Sequence, residues 1–495
     1  MRRILLPCFA LFFFTSALSI AQSATSSTST FSVSPQTHDA VQRLIGDAVL
    51  NGKAYEYDGH LADMIGPRLT GSSNYMRAAE WANRQFKALG LANVHTEEWT
   101  IPAAWEPDKP AIGRIVSPVD HILHIYSAGW SPSTPTGGVA GEIVYVPSLL
   151  PAALDAQKAQ IAGKIVLLDR ASNGANSTLA KTLAGRERLF SASPLAVILT
   201  GRPNGGQVLG AVNVSGEIAP VPVVQIGLED SLLIKRLLER GPVSAQFSFT
   251  NTIRTGVKVP TVIAEIPGSE RPSEVVILGA HLDSWHPGTG AQDNGTGVAS
   301  VLEAARAIQA LHRPPRRTIR FMLFGGEEQG LLGSTAYVRQ HLADLSQIDA
   351  VLASDSGSEP AKGWYVMGRN DEIGAVGALK PLLSGLGADG VTTDTDLMFQ
   401  TDHISFEMLG VPALVLWNGM DKYESLTHQA ADTFDSVVQK DLTQGATVVT
   451  VTVYAIADGE GPFASHFSPA EIQSMLKTAG TLDDFNYLKS MGVLP

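Results

Sequence analysis

At 495 residues the chain is longer than one hydrophobic core usually organises, so two domains with terminal extensions are expected. Its 44% hydrophobic and 17% charged residues are those of an ordinary globular protein. A formal net charge of -12 leaves no surplus of cations to neutralise phosphates, which excludes a nucleic-acid binder.

Arg2 and Arg3 precede the apolar run of residues 4–21, and Ser19 and Ala21 are small residues placed as signal peptidase requires. The pattern predicts a secretory signal over residues 1–21. Its interior Pro, Thr and Ser residues favour cleavage over retention as an anchor. The expected location is secreted or periplasmic, with no membrane association after cleavage. Cys8, the single cysteine, lies inside that signal, so the mature chain has no thiolate for a disulfide, a metal or nucleophilic catalysis.

Residues 37–129 read as the first part of the main domain: helices, the turn GPRLTGSS (66–73), a helix through Ala78, Ala82, Phe86 and Leu89 closed by Gly90, then a Pro-rich irregular stretch from about 101 to 130. Residues 130–253 carry short β-rich runs such as GKIVLLD (163–169) and LAVILT (195–200), with one or two helices between them, and read as an inserted module. From 254 to 495 strands and helices alternate: TVIAEI, EVVILGA, a helix from Gly297 to Leu311, TIRFMLF, another helix, DAVLASD, PALVLWNG. That alternation predicts an α/β sandwich around a mostly parallel sheet.

In open α/β sheets ligands bind beyond the carboxyl ends of the strands. His281, Asp283 and Asp293 follow EVVILGA, Glu327 and Glu328 follow TIRFMLF, Asp355 closes DAVLASD, and His428 comes after PALVLWNG. Singly, each has an ordinary explanation as a surface turn, a helix start or a cap. Together they gather acids that would repel unless a cation neutralised them. Two imidazoles among carboxylates, without thiolate, suit Zn²⁺ and also Mn²⁺ or Co²⁺. So many anions suggest two metals about 3.5–4 Å apart sharing a carboxylate. Glycines 288, 290, 295 and 297 would let the chain turn so that Asp293 returns beside His281.

GAHLDSWHPGTGAQDNGTG (279–297), FGGEEQGLLGS (324–334), ASDSGS (353–358) and THQAADT (427–433) resemble the signature of the M28 family of two-zinc exopeptidases, over about residues 258–455. The details HLDSW, GAQDNG and EEQG look most like its carboxypeptidase Q group. The resemblance implies a three-layer zinc-exopeptidase fold with a protease-associated domain at 130–253, and two zinc ions per chain. It further implies that His281 and Asp355 hold one zinc, that Glu328 and His428 hold the other, and that Asp293 bridges them. Glu327 matches the general base and Asp283 the carboxylate that orients His281. His403, in TDHISF with Asp402, is a possible donor to the oxyanion or substrate; His286 matches no ligand and is expected at the surface, while Tyr423 and Arg68 are possible substrate contacts.

The expected activity is hydrolysis of dipeptides or short peptides, as an aminopeptidase, dipeptidase or carboxypeptidase Q-like enzyme. A glutaminyl cyclase-like acyltransferase and a noncatalytic binding relative are the alternatives. The cyclases of this fold use one metal, and a binding relative would have lost ligands or base; here all positions are present. Neither H-E-x-x-H nor G-x-S-x-G occurs where a zinc endopeptidase or serine hydrolase would need it.

Overall fold

The computed structural model describes residues 31–168, 179–201, 215–395 and 397–495. The signal expected at 1–21 lies outside them. Among the described residues no helix is long and apolar enough to cross a membrane.

The fold is mixed α/β around a large sheet. In its catalytic half the strands run in the order Gly390–Thr392, Ala361–Tyr365, Ala413–Asn418, Ile348–Ala353, Arg271–His281, Arg317–Phe324, Ser244–Ile266. The three pairings among Ala413–Asn418, Ile348–Ala353, Arg271–His281 and Arg317–Phe324 that hold its centre are parallel, and Ala361–Tyr365 and Ser244–Ile266 flank them antiparallel. Alternate residues of one strand enter different cores: Val276 and Leu278 pack with the helices Thr296–Ala310 and Gln439–Asp458, whereas Val275 and Ile277 pack with Tyr337, Val338 and Phe406 on the other face. Burial on both faces is why EVVILGA reads as a continuous apolar run.

The Pro-rich stretch after residue 100 is not irregular. Ala92–Ser117 is one strand, 26 residues long, paired antiparallel with Ser244–Ile266. Its pairing slips between Pro107 and Ile112, which spans Pro107 and Pro110, so two residues that cannot donate to a ladder fall at bulges. This ribbon carries the inserted module. There Val139–Val146, Ile165–Leu168, Ala196–Thr200 and Val223–Ile226 form a parallel sheet edged by Ile125–Ser127. Helices Pro151–Ile161 and Leu179–Ser191 join the first three of these strands, since parallel strands require crossovers, and Leu228–Leu238 leads from the fourth to Ser244–Ile266. The module has its own apolar clusters, yet Ser244–Ile266 runs unbroken through residue 253 from one unit to the other.

Candidate metal centre

Three adjacent strands deliver the site. His281 ends Arg271–His281 and sits opposite Phe324 of the neighbouring strand, and Asp355 lies just past Ile348–Ala353. Glu327 and Glu328 follow Gly325 and Gly326. Their strand ends are adjacent, which brings residues far apart in sequence to one crevice. Between His281 and Asp293 the backbone reverses at Gly290, whose φ of +63° is open to glycine. At Gly297 the need is space: a Cβ would lie 2.1 Å from the Ser354 carbonyl oxygen.

Two triads result, His281, Asp293 and Asp355 in one and Asp293, Glu328 and His428 in the other, so Asp293 belongs to both. His281 Nε2 is 3.2 Å from Asp293 Oδ1 and 3.3 Å from Asp355 Oδ1. His428 Nε2 is 3.2 Å from Asp293 Oδ2 and 2.9 Å from Glu328 Oε2. Each imidazole nitrogen thus faces two carboxylates, more than a single N–H can satisfy. Burial would depress both histidines, but the surrounding acids hold His281 and His428 well above the usual imidazole range. Burial and Asp293 push Glu328 up to about 7 against the pull of His428, and its Oε1 is buried with no donor. Orphaned oxygen, paired imidazoles and a shared carboxylate are the donor set that divalent cations complete.

The surroundings hold these groups in place. Asp432 accepts the backbone N–H of Gln292 at 2.7 Å and of Asp293 at 3.1 Å, fixing the segment that carries the shared carboxylate. Sequence reading passed over Asp432, although it lies four residues after His428 in THQAADT. Thr70, from the GPRLTGSS turn, donates to Asp283 Oδ2 at 2.8 Å. His281 Nδ1 is 3.0 Å from the Asp283 carbonyl and 3.7 Å from its carboxylate, so the closer partner is the main chain. Glu327 is partly buried, and desolvation reinforced by Asp355 and Glu328 raises its carboxyl well above the ordinary range despite His281.

Three other expectations change. His403 is fully buried at the start of the helix His403–Glu407, with Nε2 3.6 Å from Glu407, and it does not line the cavity beside the triads. Burial drives its pKa down to about 3, leaving the ring neutral. His286 is not at the surface: it is buried with its ring 5.1 Å from that of Trp105. Arg68 is also buried and donates to the carbonyls of Leu282, Thr289 and Gly290, each at 2.8 Å, so it clamps the loop below the site instead of meeting substrate. Tyr423 does line the cavity, its hydroxyl 3.3 Å from Asp355 Oδ1.

Residues 261–453 match the family described as Peptidase family M28. Carboxypeptidase Q of Rattus norvegicus is 29% identical over 434 residues, 85% of this chain and 89% of its own length. The chain carries an M28 peptidase domain and is a metallopeptidase. It is also 28% identical to Aminopeptidase YwaD of Bacillus subtilis over 441 residues, 86% of the chain and 89% of the relative. The crystal structure of a Peptidase M28 precursor from Shewanella amazonensis superposes on it with a TM-score of 0.78 at 27% identity, covering 88% of this chain and 99% of that one.

Proposed function

We propose that this metallopeptidase is an exported two-zinc exopeptidase that hydrolyses dipeptides or short peptides, its module at 130–253 being a protease-associated domain. The observation that carries the reading is Asp293, one carboxylate common to two triads, the first buried and the second partly open to solvent. His281 and Asp355 would hold one ion, Glu328 and His428 the other, with Asp293 between. Bound there, divalent zinc supplies an acidified water and polarises the scissile carbonyl. Glu327 takes the proton from the attacking water and returns it to the leaving amine, a role suited to a carboxyl whose pKa burial has raised. A one-metal cyclase would leave one of the two triads without a task.

The cavity at the triads, about 230 Å³, has acids at one end and Leu331, Leu397, Phe399, Leu488 and Val493 along its walls. No Lys or Arg is among the described residues that line it, so a free ammonium is better matched there than a free carboxylate. This favours removal of an apolar N-terminal residue. The similarity to carboxypeptidase Q along most of the chain supports a second reading, in which the free carboxyl end is recognised. A leucyl tripeptide offered unblocked, N-acetylated and C-amidated separates the two. Cleavage that survives amidation but not acetylation is expected; the converse would establish the second reading, and no chelator-sensitive cleavage of any form would overturn both.

A further inference from the structure

We infer that Trp285 is a positioning residue for the Glu328–His428 metal site and that the inserted module sets this site's affinity through it. The inference rests on the two-metal reading above. Trp285 is buried, and its Nε1–H donates to Glu328 Oε2, the oxygen that faces His428. Its ring meets that of His428 edge-on, with centroids 6.1 Å apart. One side chain therefore touches both residues peculiar to this triad, and neither His281 nor Asp355 has such a contact with it.

Behind Trp285 stands the module. Trp130 packs edge-on against it at 5.9 Å. Gly129 lies so close that a Cβ there would be 2.6 Å from Trp285 Cζ3, which seats the indole with no slack toward the module. Residues 128–131 are knitted to the module's strand Val223–Ile226: Ala128 N–H donates to the Val223 carbonyl at 3.0 Å, and Ser131 Oγ accepts from Val223 N–H at 2.9 Å. Trp130 adopts φ +60°, a left-handed conformation unfavourable for a bulky residue. Reciprocal indole bonds hold it, Trp130 Nε1–H to the Ala103 carbonyl at 2.7 Å and Trp105 Nε1–H to the Ser131 carbonyl at 2.8 Å. A contiguous packed path therefore runs from the module to one triad's carboxylate. Partners that orient a ligating group are worth about 10–100-fold in metal affinity.

The test is calorimetric titration of the chelator-stripped full chain with Zn²⁺, and with Co²⁺ read by its visible absorption. Two bound ions per wild-type chain are expected. Trp285→Phe keeps the ring and loses the N–H; one site should weaken by about 10–100-fold while the other keeps its affinity, and one set of Co²⁺ bands should shift. Gly129→Ala touches no ligand and should weaken the same site, with less than additive loss in the double variant. Two sites of wild-type affinity in both single variants would overturn the inference while leaving the two-metal reading intact. Equal weakening of both sites would overturn it as well, by showing a general loss of packing. A wild-type chain that takes up no metal would remove the two-metal reading itself, and this inference with it.

Discussion

Glu327 and Glu328 are neighbours in the chain that meet different partners. Glu328 faces His428 and the Trp285 indole, while Glu327 has no place in either triad and lines the cavity. That division gives a paired prediction. Glu327→Gln should retain both ions by elemental analysis and lose turnover by about 10²–10⁴-fold; near-normal turnover would remove Glu327 as the base. Asp293→Ala should lose metal as well as activity, since it takes a ligand from both triads, and unchanged metal content would refute its bridging role. The ligand candidates were legible as polar residues at strand ends or in the loops that follow them. The tasks of the other buried polar residues were not: GPRLTGSS was quoted as a turn, but that its Arg68 clamps carbonyls 214 to 222 residues away follows only from the loop's path in space.

The elements around the cavity come from distant parts of the chain. Leu488 in the helix Leu482–Ser490 and Val493 beyond it form part of its apolar wall, opposite the acids. Side-chain preference should therefore depend on the C-terminal segment, which carries no ligand. Val493→Trp is expected to lower kcat/KM for leucyl more than for alanyl substrates, by about 10-fold, as expected for losing room for one or two methylenes. An equal effect on both would show that this wall does not meet the substrate side chain. The strand Ala92–Ser117 shows the converse limit of sequence reading. Its prolines pointed to irregular structure, and only pairing with a partner strand far on in the chain, from Ser117 opposite Ser244 to Ala92 opposite Glu265, with bulges to absorb them, makes it a strand.

Across the whole molecule, burial imposes a cost that should appear as a pH dependence of stability. Glu407 is fully buried near Arg369 and Asp371, and burial pushes its pKa up to about 8. The folded chain therefore keeps a proton that the unfolded chain releases near the ordinary carboxyl value. Its stabilising share is complete below that value and is lost as pH rises through about 8. Glu407→Gln should abolish that part of the decline, seen as a smaller drop in urea midpoint between pH 5 and pH 8.5; an unchanged drop would show that Glu407 does not carry it. Sequence alone determined the alternating strands and helices, since apolar runs and stripes report which faces must leave water. It also determined which strand ends bear acid and imidazole, because nothing in packing calls for them there. Tertiary structure decided that Asp293 is shared, that His403 is buried away from the cavity and His286 away from the surface, and that Asp432 and Trp285 support the site. Those are distances between segments remote in the chain, set by sheet order and by the ribbon that docks the module, and no local pattern encodes them.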